Sequence, residues 1–526
     1  MTFVNKAKLF EDDVIEVNDD TGDYVLKESP VRDSVLAGVL LTGKTFGRNG
    51  RRLLYKCIPD NPRIPSFLLP YDVPIGFSKA IKNKYVAFRF VHWDHDHPRG
   101  EMKETFGDVD SAEAFYDYQV CRKNLNVSLS SFTIALRAVI KRDEILSPDP
   151  ILTIRGIAKY GIEDLRGTSV FSIDPVGCTD IDDAFSVVVK DDVATVNVYI
   201  ANVFLFLETF ALWDFVSDRV STIYLPNKKL SMLPSLISDT LCSLKAGEDR
   251  VAFMMSVKYD LVTKQQLGAP VYKNVLICVN KNYAYDDRAL NHRSDYRVLS
   301  ELSSEAPFSE AVEACSHDVV AYWMVKMNTE CAAYLSRRGC GVFRGTLSSN
   351  VRSSRFFEFC ASAYSVTPSP HVPLNIDAYV HITSPIRRLV DILNQILFMK
   401  SMFSVSDSSI LFLEKWFKKL DFVNAGSKNI RKIQSECELL ALVSKNSELV
   451  DREFEGIVFD KVCKGTHEMF EYAVYIKELK LFSVMKSEHD LENNSSHRFR
   501  LYFFQDETRL CRKIRLCLLR KLNLDS

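Results

Sequence analysis

The sequence predicts an α+β chain, with a central mixed α/β domain flanked by small β-barrels. Three observations carry that reading. Residues 34–92 hold short apolar runs, among them Val35-Leu36-Ala37 and Tyr85-Val86-Ala87-Phe88, broken by Gly and Pro; short strands with turn signals at this spacing suit a small barrel or sandwich. Residues 166–260 alternate strand patterns with loops, and residues 306–338 and 384–445 carry helical patterns. After Glu453, strand patterns return in Phe454-Glu455-Gly456-Ile457-Val458-Phe459, Tyr472-Ala473-Val474-Tyr475-Ile476 and Phe499-Arg500-Leu501-Tyr502-Phe503-Phe504.

Residues 1–30 are acidic and polar, with Asp12-Asp13 and Asp19-Asp20, and read as a flexible lead-in. Residues 31–110 make the first barrel region and residues 111–165 a partly helical connector. The central domain occupies 166–445, where Gly339 serves as a C-cap after the helical pattern ending at 338. Residues 446–526 make the second barrel, interrupted by the polar loop 488–496. A chain of 526 residues is too long for one ordinary core.

Composition narrows the function classes. Apolar residues make up 47% and charged residues 26%, as in ordinary globular chains. No run approaches ~20 uninterrupted apolar residues, so no membrane span is expected. The start, Met1-Thr2-Phe3-Val4-Asn5-Lys6, lacks the apolar core of a secretory signal and the Arg-rich character of a transit peptide. The thirteen cysteines are scattered and include no Cys-x-x-Cys pair. That argues against a zinc knuckle and against a disulfide framework, and for reduced, intracellular thiols. A net charge of −1 argues against coating nucleic acid through bulk charge. It leaves a local basic channel open.

The most informative stretch is Asp174-Pro175-Val176-Gly177-Cys178-Thr179-Asp180-Ile181-Asp182-Asp183, four carboxylates within ten residues between two apolar strand patterns. Pro175 cannot continue a central ladder, so Asp174 ends the first strand. If the segment is extended, Asp180 and Asp182 share a face and Asp183 points the other way. Acids this close repel, and beside apolar strands they either take up protons or capture a hard divalent cation. A solvated acidic turn is the bland alternative. A calcium loop counted from Asp180 fails, with Phe185 where glycine is needed and Asp191 where a bidentate Glu sits.

The spacing Asp174-Pro175 to Asp180-x-Asp182-Asp183-Ala184 resembles the signature of the ribonuclease II and ribonuclease R (RNB) family, which includes the catalytic subunit of the exosome. Further blocks match in order: Tyr199-Ile200-Ala201-Asn202-Val203, Tyr224-Leu225-Pro226, Met232-Leu233-Pro234, Leu241-Cys242-Ser243-Leu244 and His381-Ile382-Thr383-Ser384-Pro385-Ile386-Arg387-Arg388. The resemblance covers about residues 166–440. The flanking regions resemble the family's cold-shock-like and OB-like C-terminal RNA-binding barrels. Two departures stand out. The family usually has Asp where Asn202 stands and His-Arg where Gln395-Ile396 stands, which bears on substrate positioning. The variant arginine block is similar to versions encoded by large DNA viruses.

The resemblance implies a processive 3′-to-5′ hydrolytic exoribonuclease, releasing nucleoside 5′-monophosphates from single-stranded RNA by two-metal chemistry with Mg2+, or Mn2+ in its place. It implies that Asp174, Asp180, Asp182 and Asp183 bind metal, and that loss of Asp182 stops cleavage without stopping RNA binding. Tyr224 resembles the aromatic that stacks near the RNA 3′ end, and Tyr285 a second pocket tyrosine. No DNA substrate and no membrane partner are expected, and protein partners are open. The expected compartment is intracellular and cytoplasmic.

Arg387 also has a case of its own. Ser384 reads as an N-cap and Pro385 as a first helical residue. That puts Arg387 in a first turn, where backbone N–H groups already favour an anion and a guanidinium fork adds phosphate contacts. Asp391, four residues on, can orient it. Arg388 reads as a supporting RNA contact or a structural ion pair. Lys228, Lys229 and Lys245 could line the channel, although a solvated lysine is the default. His92-Trp93-Asp94-His95-Asp96-His97 reads as a polar loop end rather than a metal box. Cys315 with His317 and Cys463 with His467 read as buried thiols rather than nucleophiles. The basic segment 509–516 reads as a final barrel strand. Two rivals remain: an RNA-binding protein of the same fold without catalysis, and a hydrolase of small phosphate esters.

Overall fold

The computed structural model describes residues 8–17, 24–72, 82–143, 150–156, 158–303, 315–346, 362–371, 374, 376–450, 452–464, 469–479, 481–503 and 514–521. The chain divides into two compact units, one of residues 1–126, 225–228 and 429–526, the other of 127–224 and 229–428. Helix and strand are mixed as expected of an α+β chain.

The second unit is built on a sheet in which Asp249–Asp260, Val193–Ala201, Asp183–Lys190, Val170–Asp174 and Val271–Ala284 pair in that order. A further ladder between Asp249–Asp260 and Val271–Ala284 closes these five strands into a ring. Val170–Asp174 and Val271–Ala284 run parallel, and the other ring pairings are antiparallel. Val193–Ala201 is rich in β-branched residues and buried along nearly its whole length, as a strand covered on both faces must be. The helix Leu389–Met402 is buried over eleven consecutive residues, Leu389 to Met399. A helix apolar around most of its circumference belongs inside a core. Its Phe398 ring lies 4.8 Å from those of Phe253 and Tyr272 and 4.3 Å from that of Tyr334, which locks helix to sheet.

In the first unit, Leu36–Asn49, Arg52–Pro59, Phe67–Tyr71, Arg99–Asp108 and Lys84–His92 form a closed barrel. Leu40, Cys57, Phe67, Leu69 and Phe88 fill it. Gly100 is required where two strands approach, because a Cβ there would meet Leu69 at 2.6 Å and the Arg89 carbonyl at 2.8 Å. Near the chain's end, a five-stranded antiparallel sheet runs in the order Leu481–Ser487, Met469–Ile476, Glu453–Lys464, Ser496–Phe503, Ile514–Lys521. The basic segment 509–516 falls mostly outside the described residues.

Several expectations are corrected. The lead-in is ordered where it is described. Val14–Val17 pairs with Tyr24–Glu28, and Phe10 is buried against Trp93 at 4.9 Å and Phe67 at 5.9 Å. An aromatic that can enter a barrel core outweighs the polar composition around it. Cys315 and Cys463 are exposed, not buried; Cys315 holds the N-cap position of Ser316–Ser336 in an extended conformation. His467 lies outside the described residues. Among the described residues, no helix is long and apolar enough to cross a membrane.

Candidate active site

The acidic segment is a loop, not a strand. Val170–Asp174 ends at Asp174, the Cys178 amide closes a turn on the Pro175 carbonyl at 3.0 Å, and Gly177 adopts φ +78°. Positive φ suits glycine because a Cβ is strained there. The next strand begins at Asp183. Ser243 pins the loop from outside, accepting from the Ile181 amide at 3.0 Å and donating to the Thr179 carbonyl at 2.8 Å. The alternation expected of extended chain therefore does not apply, and Asp180 and Asp182 face different partners.

Asp182 is 3% exposed. Its Oδ1 accepts from the Ile386 amide at 2.9 Å and its Oδ2 from Arg387 Nε at 3.2 Å. Asp180 accepts from the Tyr224 hydroxyl at 2.7 Å and from Lys229 Nζ at 3.0 Å. Asp174 Oδ2 accepts from Ser172 Oγ at 2.6 Å, and Ser172 Oγ accepts in turn from Asn282 Nδ2 at 2.9 Å. Asp183 Oδ2 is buried with no hydrogen-bond partner among the described residues.

Burial sets the protonation of this group. It pushes Asp182 up to about 7, against the pull of Arg387 and the Ile386 amide. It pushes Asp174 up to about 6, opposed by the Ser172 hydrogen bond and Arg387 and reinforced by Asp180. Asp183 is held well above the usual carboxylate range by burial and by the charges of Asp174 and Asp182. Such a set gains stability by taking protons or a cation.

Arg387 does not lie in a helix. The segment 385–387 is a turn, and the helix begins only at Leu389. The Ser384 amide is taken by Asp391 Oδ1 at 2.7 Å and the Ile386 amide by Asp182. Backbone donors given to carboxylates leave no need for Ser384 as a cap. Asp391 orients Arg388, through a 2.9 Å bond from Nη2, rather than Arg387. The Arg387 carbonyl is fixed from behind by the Thr222 amide at 2.9 Å and Ser221 Oγ at 2.8 Å. Its side chain is 43% exposed, and beyond Nε it makes no hydrogen bond among the described residues.

Tyr224 is partly exposed while its hydroxyl engages Asp180. The Tyr285 amide donates to the Asp174 carbonyl at 3.2 Å, and its ring stacks on His317 with centroids 3.5 Å apart. Burial, then the charges of Asp183 and Asp174, raise its phenol. The structure thus brings Asp174, Asp180, Asp182, Asp183, Tyr224, Tyr285 and Arg387 into one neighbourhood.

Do these residues fit a divalent ion? Among the described residues, no three His, Cys, Asp or Glu side chains are arranged to hold one. In this structure Asp180 is engaged by Lys229 and Asp182 by Arg387. Asp174 and Asp183 do fit. They are hard oxygen donors, mutually repelling, and one carries a buried oxygen without a partner.

The two departures at Asn202 and Gln395 sit together, buried, at the start of the helix Val203–Thr209. Asn202 Oδ1 accepts from the Leu205 amide at 3.0 Å, and Gln395 Oε1 accepts from the Phe204 amide at 3.2 Å. Gln395 Nε2 donates to the Ala201 carbonyl at 2.9 Å, and Asn202 Nδ2 to Asn274 Oδ1 at 2.9 Å. Their role is to cap a helix. Gln395→Ala strands a buried N–H and a buried carbonyl, so it is expected to lower stability by about 2–4 kcal/mol. Urea denaturation measures this, and an unchanged midpoint counts against the capping role.

Comparison with known proteins now adds the family. The chain carries an RNB domain, matched at residues 162–289 and 346–402. The resemblance to the ribonuclease II and ribonuclease R family is thereby shown. The "Probable exosome complex exonuclease RRP44" of Caenorhabditis elegans is 27% identical over 257 residues, which is 46% of this chain and 26% of that protein. The chain therefore spans about a quarter of this relative's length. The fold is that of Mycoplasma genitalium RNase R, solved with ribose methylated single-stranded RNA, at TM-score 0.65 and 17% identity over 96% of this chain and 90% of that one. It is also that of yeast Ssd1, a pseudonuclease, at TM-score 0.59 and 12% identity over 93% of this chain and 69% of that one.

Sequence reasoning missed Ser172, Asn282 and Ser243. Ser243 lies in a block that matched the family, and Ser172 lies two residues before the first acid of the signature, which were their signals. Asn282 reaches Ser172 across 110 residues, which no local pattern marks.

Proposed function

We propose that this chain is a 3′-to-5′ exoribonuclease that hydrolyses single-stranded RNA to nucleoside 5′-monophosphates with Mg2+, Mn2+ serving in its place. The observation that carries this reading is the Arg387–Asp182 pair. A buried carboxylate holds the guanidinium by Nε alone and leaves its terminal nitrogens for a phosphate. Asp174 and Asp183 would hold the divalent ion, which supplies charge relief on the phosphate and a more acidic water. Tyr224 and Tyr285 offer ring faces, and stacking accepts any base. Arg388, tied to the fully buried Asp391, steadies the turn that presents Arg387.

A second reading is RNA binding without catalysis. The engagement of Asp180 and Asp182 by protein cations favours it, and the pseudonuclease fold match shows that the architecture alone does not decide. Incubating the chain with an RNA labelled at its 5′ end and unpaired at its 3′ end separates the two. We expect shortening from the 3′ end with mononucleotide release, abolished by chelation. RNA retained without turnover under Mg2+ overturns the nuclease reading. Burial raises the carboxyls of Asp174 and Asp182 above the usual carboxylate range, so activity is expected to fall on acidification as they take up protons in competition with the cation. A bound cation moves the fall to lower pH.

A further inference from the structure

The four acids are not equivalent, and Lys229 is the reason. Its Nζ lies 3.0 Å from Asp180 Oδ1, 2.7 Å from Asp239 Oδ1 and 2.8 Å from Thr179 Oγ1. An ammonium has three N–H donors, and here three protein acceptors take them. The lysine side chain is 23% exposed and that of Asp180 is 6% exposed, unlike a solvated surface pair. The second anchor is held in turn, since Asp239 Oδ1 also accepts from Ser238 Oγ at 3.1 Å and Thr179 Oγ1 at 3.3 Å. It projects from Leu236–Leu241, a single π-helical turn, an irregularity that clusters at functional sites.

We propose that Lys229 is a built-in cation standing where a second divalent ion would bind at Asp180, so that the site takes one metal ion, at Asp174 and Asp183. This rests on the nuclease reading and narrows it from two ions to one. Both oxygens of Asp180 are occupied, one by Lys229 and the other by Tyr224. An ion beside Asp180 would face a fixed positive charge at close range in a partly dry site, where repulsion is strong. Lys229 is shared between Asp180 and Asp239, so removing its charge leaves Asp180 with the Tyr224 hydroxyl as its remaining partner and room for a cation. Lys229 has no donor left for substrate, so it is a positioning residue that fixes the charge and place of Asp180.

The test counts Mn2+ ions bound to the full chain by equilibrium dialysis, with circular dichroism to verify folding. Wild type is expected to bind one ion, Lys229→Arg one, and Lys229→Met two. Lys229→Gln, which keeps hydrogen-bonding capacity without the positive charge, is expected to bind two and serves if Lys229→Met fails to fold. Zero or two ions on wild type, or no second ion on folded Lys229→Met, overturns the proposal. RNA hydrolysis by wild type is scored separately. Two ions with mononucleotide release sinks the ion count alone, whereas one ion without release sinks the nuclease reading alone.

Discussion

Asp182→Asn is expected to leave RNA bound while hydrolysis falls by about 10³-fold or more. The exchange is nearly isosteric, and the amide oxygen can still accept from the Ile386 amide. The amide nitrogen then faces Arg387 Nε, donor against donor, so the guanidinium loses its anchor. The fold is expected to survive, because a neutral group replaces a carboxylate that burial already holds up at about 7. Binding measured by fluorescence anisotropy should stay within a few-fold of wild type while mononucleotide release disappears. Cleavage at the normal rate would remove Asp182 from the chemistry.

Removing the partner has the second largest effect. Arg387→Gln is expected to lower turnover by about 10²–10³-fold, or about 3–4 kcal/mol of transition-state stabilisation. Arg387→Lys should not restore it. A lysine presents one charged nitrogen and cannot hold Asp182 at one end while gripping a phosphate with a planar fork at the other. The pH profile provides a separate check. Arg387 pulls the Asp182 carboxyl down against burial, so its loss lets Asp182 keep its proton to higher pH. The residual activity of Arg387→Gln should therefore rise only at more alkaline pH than that of wild type. An unshifted acidic limb would show that the pair does not communicate in solution.

Much of this site can be read in the linear chain because its centre is local. Asp174, Asp180, Asp182 and Asp183 share one loop, and Arg387 belongs to a contiguous block. The partnerships are not local. Asp182 reaches across 204 residues to the Ile386 amide and Gln395 across 191 to the Phe204 amide. No spacing rule encodes such pairs. The misread turn at 384–387 shows how local rules fail. Ser and Pro in that order favour a helix start, but Asp391 and Asp182 claim the amides, and tertiary hydrogen bonds outweigh propensity. Lys229 drew attention as a channel lysine. Its link to Asp239 depends on a π-helical turn that residue patterns do not announce.

The buried amides at 202, 274 and 395 bear on how this chain can change. Asn274 Nδ2 already donates to the Tyr160 carbonyl at 3.1 Å, so its oxygen is what Asn202 meets. An aspartate at 202 would set oxygen against oxygen. Aspartate at 202 alone should therefore lower stability, and a residue at 274 that presents a donor to it should restore what was lost. A change at 202 is thus tied to one at 274, on a strand 72 residues away.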